Sequence, residues 1–214
     1  MDYTGKISRQ VAGIPRSGIR DFFELVQGRD DVISLGVGEP DFATPWHIRE
    51  AAIYSLEKGH TSYTSNLGLM SLRKEISRYA NDFFHIDYDA ASEILITVGV
   101  SEAIDLALRA LIDPGDEVIY LDPFFVMYPA LVQMCGGIPV PVDSYPDFRL
   151  DPAKIEAAVT PRTKMILLNS PANPTGVTAT AAELKQVAEL AGSSKACRAV
   201  GNIMGKNPLP LVIP

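Results

Sequence analysis

Residues 163–176, TKMILLNSPANPTG, join an apolar run to a turn that contains two asparagines, two prolines and a glycine. A short apolar run without polar alternation, such as MILL, predicts a strand that is buried on both faces. Pro171 and Pro174 donate no backbone hydrogen bond, and only X–Pro bonds have an appreciable cis population. We therefore expect a cis Asn173-Pro174 bond that holds the Asn173 amide at the strand end, where it could donate to a phenolate or carboxylate oxygen. An ordinary Asn-Pro turn is the alternative.

Strand-like and helix-like segments alternate along the rest of the chain. The predicted strands are 32–42, 93–99, 117–122, 138–143 and 165–170, and the predicted helices are 17–27, 46–58, 68–84, 101–112, 126–135, a segment opening at Asp151-Pro152, and 181–191 behind a Thr180/Glu183 capping box. This order predicts an α/β fold of βαβ units, with helices covering both faces of a parallel sheet. Ligands bind at the carboxyl ends of the strands in such sheets, so the turns after the strands are the place to look for a site.

Composition narrows the class of protein. The chain has 214 residues, a net charge of −7 and 47% apolar residues, which suits one globular domain, or one domain and part of another. Basic residues form no patch interleaved with aromatics, so nucleic acid is not an expected partner. No apolar run is long enough to cross a membrane and the N-terminus lacks a secretory signal, so the cytoplasm is the expected location. Cys135 and Cys197 have no metal-binding spacing, and no metal is expected.

Two further turns carry residues suited to a ligand. In TVGVSEA, residues 97–103, a helix is expected to begin at Ser101 after a turn at Gly99, and its free amides should open into a cavity and suit a phosphate. Ser101 as a plain N-cap is the alternative. In DPFFVMYP, residues 122–129, two aromatics follow a strand directly and either stack on a flat ring or pack in the core. We also expect a cis Asp122-Pro123 bond in this turn.

A glycine-rich segment, GVGEPDF at 36–42, completes the set of candidate turns. Gly38 in this segment would allow a ligand to approach the backbone closely. A phosphate-binding helix start, an aromatic face and an amide donor, all at strand ends, together suggest a flat, phosphorylated aromatic cofactor.

Six segments of the chain resemble the class I/II aminotransferases, which are fold-type-I enzymes that use pyridoxal 5'-phosphate (PLP). The matching stretches are LGVGEPDFATP, GHTSYTSNLGLMSLRKEI, ITVGVSEAIDLAL, PGDEVIYLDPFFVMYP, TKMILLNSPANPTG and the capped helix that follows. The resemblance runs from about residue 7 to 190 and implies a three-layer αβα sandwich that is incomplete on its C-terminal side. It implies an N-terminal arm and part of a small domain at 1–45, a partial PLP-binding large domain at 46–190, and an unmatched tail at 191–214.

The resemblance also implies roles for individual residues. Val100 and Ser101 would bind the PLP phosphate at the helix start. Phe125 would stack on the pyridine ring, and Asn173 would donate a hydrogen bond to the phenolic oxygen of the ring. In the family's pattern these residues hold the cofactor.

Two more residues connect the cofactor to the substrate and to a second subunit. Gly38 would contact the α-carboxylate of the substrate. Tyr63 would reach the phosphate of the neighbouring subunit, which implies a homodimer with shared sites. The implied substrates are an amino acid and a 2-oxo acid.

The C-terminal residues depart from the family's pattern. Family members are close to twice this length, and their Schiff-base lysine and the aspartate for the pyridinium nitrogen follow the helix that ends here near residue 191. The tail, AGSSKACRAVGNIMGKNPLPLVIP, contains no such pattern, and Lys195 resembles the lysine loop only by chance. We therefore expect no catalytic residue in the chain: a truncated aminotransferase that is inactive as it stands. The alternatives are a non-catalytic fragment that at most binds a phosphate ligand or a full-length partner, and a related PLP lyase or synthase.

The missing segments have a consequence for the sheet. In the family, strands that follow residue 190 lie between strand 93–99 and the next three strands. The chain is therefore expected to leave sheet edges unpaired and apolar surface exposed, which is an aggregation hazard.

Overall fold

The computed structural model describes residues 5–15, 18, 31–33, 42–193 and 200–202. These residues divide into two compact units, and we call them the sheet unit and the helical unit. The sheet unit comprises the described parts of Met1–Pro15, Asn81–Ile86 and Thr97–Pro214, and the helical unit comprises those of Arg16–Ala80 and Asp87–Ile96. The predicted helix at 17–27 and most of the predicted strand at 32–42 lie outside the described residues.

Helices and strands alternate from residue 99 onward, as the sequence predicts. The helices are α1 Arg9–Ala12, α2 Trp46–Glu57, α3 Met70–Phe84, α4 Gly99–Leu111, α5 Met127–Met134, α6 Pro152–Ala158 and α7 Ala181–Ser193. The strands are β1 Glu117–Asp122, β2 Ile138–Asp143, β3 Thr163–Asn169 and β4 Val200–Asn202. They form one sheet in the order β2-β1-β3-β4, and every neighbouring pair is parallel. The predicted α/β fold with a parallel sheet is confirmed.

The apolar side chains of the strands explain why the sheet is covered on both faces. Val118, Tyr120 and Leu167 pack on one face with α4 and α5, whereas Ile119 and Ile166 pack on the other face with α6 and α7. Adjacent strand residues point to opposite faces, so a run in which every residue is apolar supplies two cores. The sheet unit is therefore a three-layer arrangement of helices, sheet and helices.

Local capping fixes the ends of the helices that flank β3. The Asp151 side chain accepts a hydrogen bond from the Ala153 amide at 2.9 Å, and Pro152 occupies the first turn of α6. Thr180 and Glu183 form the predicted capping box of α7: the Thr180 hydroxyl accepts from the Glu183 amide at 3.2 Å, and the Glu183 carboxylate accepts from the Thr180 amide at 2.6 Å. Both caps predicted from the sequence are confirmed.

The segment 93–99 is not a strand, contrary to its predicted structure. Residues 94–97 have no regular secondary structure, and α4 begins at Gly99, two residues before the predicted start. A strand exists only through hydrogen bonds to a partner strand, and among the described residues this apolar run has no partner strand. It runs beside the α2–α3 loop, where the Ile96 amide donates to the Leu67 carbonyl at 3.0 Å. A Cβ on Gly68 would lie 2.5 Å from Ile96 Cγ1, so the two segments meet in close contact.

The prediction of unpaired sheet edges is wrong beside β3, because β4 covers it. Val200, Gly201 and Asn202 pair in parallel with the last residues of β3. The prediction of exposed apolar surface is confirmed. Helix α2 has no buried residue, and Trp46 and Leu56 are exposed by 59% and 67%.

Among the helices that the structure describes, none combines the length and the apolar character needed to cross a bilayer.

Candidate functional site

The turns after β1 and β3 meet at the carboxyl end of the sheet. Asp122-Pro123 and Asn173-Pro174 are both cis, as predicted, and Ser170-Pro171 is cis as well. The turn after β3 closes on itself: the Ala172 amide donates to the Val177 carbonyl at 2.8 Å, and the Gly176 amide donates to the Ala172 carbonyl at 2.7 Å. These bonds leave Asn173 exposed at the tip of the turn.

A small cavity of about 20 Å³, open to solvent, lies between these two turns. Its walls come from the ends of β1 and β3 and from the residues that follow them: Leu121, Pro123, Phe124, Tyr128, Leu167, Asn169, Ala172 and Asn173. The predicted donor Asn173 is therefore brought to the same place as an aromatic wall. Phe125 is half-buried beside that wall, and its ring meets the Tyr128 ring edge-on with centroids 5.7 Å apart.

Asn169 is a site residue that the sequence reasoning missed. It is the last residue of β3, and its Nδ2 is buried without a hydrogen-bond partner. It also borders a second, largely apolar space of about 20 Å³ with Phe148, Leu168 and Val177. The signal was present in the sequence as the first asparagine of NSPANPTG, a polar side chain at the end of an apolar strand.

Burial holds two tyrosines neutral: Tyr128 in the wall, and Tyr120, a core residue in contact with the Tyr128 ring. Burial raises the pKa of Tyr120 to about 12, and the nearby Asp122 charge adds to the rise. Burial also raises the pKa of Tyr128, whereas the neighbouring Asn169 amide lowers it. The wall of the cavity therefore offers neutral hydroxyl and amide groups to a ligand.

The predicted phosphate-binding helix start is present as a helix, but its residues lie on exposed surface. Helix α4 covers Gly99–Leu111, and Val98, Val100 and Ser101 are all exposed. The expectation that the first amides open into a cavity is not supported by this exposure. The Glu102 carboxylate accepts a hydrogen bond from the Val98 amide and places a negative charge in the first turn. That charge opposes the approach of an anion to the helix end.

Neither of the two remaining predicted residues is among the described residues that line this cavity. Tyr63 lies in the loop between α2 and α3 of the helical unit and is fully exposed. Gly38 lies outside the described residues.

The chemistry of the groups around the cavity suits the ring of a PLP molecule. The orphaned Asn169 Nδ2 and the Asn173 amide supply donors beside an aromatic wall, and the ring of PLP carries acceptor atoms. Three lysines of the sheet unit have partners elsewhere. Lys154 Nζ donates to the Asp143 carbonyl at 3.0 Å, Lys164 pairs with Asp116, and Lys185 pairs with Glu189.

Comparisons with known proteins show which family the chain belongs to. The family model described as "Aminotransferase class I and II" matches residues 30–197, so the match extends past the predicted limit of about residue 190. A putative aminotransferase, YugH, of Bacillus subtilis is 53% identical over 190 residues, which cover 88% of this chain and 49% of that protein. An aspartate aminotransferase of Geobacillus stearothermophilus is 42% identical, over 86% of this chain and 48% of that protein.

A solved structure shows the same fold. The aspartate aminotransferase from Thermus thermophilus, solved with maleate, superposes with a TM-score of 0.84 at 35% identity, over 91% of this chain and 52% of that one. The chain thus spans about half the length of the relatives it matches. On a family match over most of its residues and a shared fold, the chain belongs to the class I and II aminotransferase family.

Proposed function

We propose that the chain binds PLP and forms the cofactor-binding part of an aminotransferase that transfers an amino group from an amino acid to a 2-oxo acid. The observation that carries this proposal is the cavity at the carboxyl end of the sheet, where Asn173 and the orphaned amide of Asn169 face an aromatic wall. Family membership supports it, because the names of the relatives specify aminotransferases. The proposed location is the cytoplasm.

Each residue of the proposed site has a distinct task. The Asn173 amide donates to the phenolic oxygen, and Phe125 stacks on the ring. Val100 and Ser101 bind the phosphate. When bound, PLP supplies an electron sink for the loss of a proton from the Cα of the substrate.

The substrate and the partner subunit complete the proposed site. Gly38 contacts the substrate α-carboxylate, and Tyr63 of one subunit reaches the phosphate in the other subunit of a homodimer. We propose the domain limits 1–45, 46–190 and 191–214 for the arm, the partial large domain and the tail.

A second candidate function is ligand binding without catalysis. It is favoured by the lysines of the sheet unit, because Lys154, Lys164 and Lys185 have partners away from the cavity. A covalent link to PLP and a proton shuttle at Cα both need an amine. The protein is mixed with PLP and reduced with borohydride, and any pyridoxyl-lysine is mapped by mass spectrometry. This experiment distinguishes catalysis from binding alone. Stoichiometric labelling of one lysine together with amino-group transfer supports the enzyme, and binding without either result supports the second candidate.

The binding step is tested with 4'-deoxypyridoxine 5'-phosphate, which has no aldehyde to react with lysines. Titration calorimetry should detect a complex with the unmodified chain, and Asn173→Ala should weaken it about tenfold through the loss of one hydrogen bond to a charged oxygen. Thr178→Ala is the matched control, because Thr178 is an exposed residue a few positions further on that does not line the cavity. Absence of a complex with the unmodified chain would refute the proposal.

A further inference from the structure

A ladder of aromatic rings connects the centre of the sheet to the proposed cofactor site. Tyr120 of β1 meets the Tyr128 ring of α5 with centroids 6.0 Å apart and planes at 66°. Tyr128 in turn meets Phe125 at 5.7 Å and 78°. Both contacts have the edge-to-face geometry that aromatic pairs prefer. The ladder therefore leads from the buried core to the one ring in it that is only half-buried.

Phe125 needs such support because it lies in the turn that precedes α5. A half-buried ring on a turn loses side-chain entropy when a ligand stacks on it, and this loss weakens binding. Tyr128 is only 3% exposed and belongs to the core cluster with Leu131 and Met165, so its ring cannot follow the motion of the turn. An edge contact from such a ring restricts Phe125 before any ligand arrives.

The other end of Tyr128 faces the cavity beside Asn169. Both side chains line the same space, and Asn169 comes from β3 whereas Tyr128 comes from α5. The Asn169 Nδ2 is buried without a hydrogen-bond partner, so the position of the Tyr128 ring follows from its packing in the core and not from a bond to this amide.

We propose that Tyr128 is a positioning residue that fixes the ring of Phe125 for a flat ligand. This inference rests on the proposed function, because Phe125 is the residue assigned to stack on the ring of PLP. It adds one residue that the family-based assignment of the site does not include. Tyr128 does not have to touch the ligand to act.

The first test compares a ligand with a ring and a ligand without one. Tyr128→Leu should weaken the binding of 4'-deoxypyridoxine 5'-phosphate about tenfold through the loss of the ring contact, whereas Tyr128→Phe, which keeps that contact, should weaken it by no more than about threefold. Inorganic phosphate should bind these variants and the unmodified chain equally. Tyr145→Leu is the matched control, because Tyr145 forms a similar edge contact with Phe148, at 6.0 Å and 73°, outside the cavity wall. Equal losses for both ligands would show a merely structural role and overturn the proposal.

The second test needs no ligand and uses 4-fluorophenylalanine at position 125. Its ¹⁹F resonance should be a single narrow line in the unmodified chain, and it should broaden or split in Tyr128→Leu. Tyr128→Phe keeps the packing of the ring and should give a narrow line at a shifted position. Tyr145→Leu should leave the line unchanged. An unchanged line in Tyr128→Leu would overturn the positioning role even if PLP binds, and the expected broadening would support that role even if the proposed function fails.

Discussion

The two ends of β3 differ in how their polar groups are satisfied. At the amino end, Glu117 of β1 accepts hydrogen bonds from the Thr160 hydroxyl at 2.5 Å, from Arg162 Nη2 at 2.6 Å and from the Thr163 hydroxyl at 3.4 Å. At the carboxyl end, the Asn169 Nδ2 is buried without a partner and borders open space. A strand of seven residues separates a complete polar network from an incomplete one.

The difference indicates that the amino end of β3 contributes to stability, whereas the carboxyl end is suited to bind a ligand. A buried polar group without a partner costs about 1–3 kcal/mol, so the carboxyl end is less stable than it could be. Ligands bind at the carboxyl ends of parallel strands, and there an unpaired donor can be satisfied by a ligand. The amino end has no such task, and its polar groups bind one another.

The largest effect is expected when the carboxylate acceptor at the amino end of β3 is removed. Glu117→Ala should lower the free energy of unfolding by about 2–3 kcal/mol, because Thr160 and the buried Thr163 lose their charged acceptor. Arg162 is 66% exposed, so water replaces its lost partner and limits the cost. Urea unfolding followed by circular dichroism measures the effect. The exposed Glu156 of α6 serves as the control, and Glu156→Ala should have little effect.

The pH dependence of the same network gives a second prediction. The Thr160 hydroxyl bond is the main cause that lowers the pKa of Glu117, Arg162 contributes to the same direction, and burial opposes them. Because the pKa of Glu117 is lower in the folded state than in the unfolded state, where it is near 4.5, the ionised carboxylate stabilises the fold at pH values above 4.5. This stability is lost as the pH falls through the folded-state pKa. The unfolding midpoints of the unmodified chain and of Glu117→Gln should therefore differ at neutral pH and converge in acid. A constant difference across that range would contradict the assignment.

Matched changes at the two ends of β3 sharpen the comparison further. Thr163→Val removes a satisfied hydroxyl and should destabilise the chain by about 1 kcal/mol. Asn169→Leu removes an orphaned amide and should leave the stability unchanged or raise it by up to about 1 kcal/mol. Urea unfolding of the two variants in parallel is the measurement. A larger loss of stability in Asn169→Leu than in Thr163→Val would show that the amide has a partner after all.

The smallest effect is expected at the start of α4. Glu102→Gln removes the negative charge from the first helical turn and should strengthen the binding of inorganic phosphate about two- to threefold at low salt. Titration calorimetry at two salt concentrations measures the gain and its screening. Glu156→Gln removes the same charge from an exposed site on α6 and should change nothing. Weaker binding in Glu102→Gln would indicate that the bond from the Val98 amide shapes the phosphate site.

The parts of the structure that could be predicted from the sequence depend on local chemistry. The capping box at Thr180 and Glu183, the proline at the start of α6 and the turn that presents Asn173 all depend on neighbouring residues. The apolar runs of β1 and β3 were predicted correctly because both runs find strand partners within the sheet unit. Their alternation with helices was sufficient to predict a parallel sheet.

The errors arise where a residue depends on distant parts of the chain. Segment 93–99 has the composition of a buried strand, but composition does not supply the neighbour that a strand needs. The sequence indicates only that Asn169 lies at the end of a strand. Its lack of a hydrogen-bond partner is a property of the packed structure, so the sequence does not reveal it. The roles of Val100, Ser101, Phe125, Asn173 and Tyr63 remain predictions.

The strand order β2-β1-β3-β4 also sets an order of assembly. Only α5 and its connecting turns lie between β1 and β2, so these two strands can pair while the rest of the chain is still being synthesised. The pairing of β3 with β1 must wait until β2 and α6 have been made, and it closes a longer loop at a greater entropic cost. Until then, the edge of β1 that will receive β3 lies open on the nascent chain. The polar network at Glu117 takes its donors from Thr160, Arg162 and Thr163, so it forms only when that edge is closed and marks the completion of the sheet.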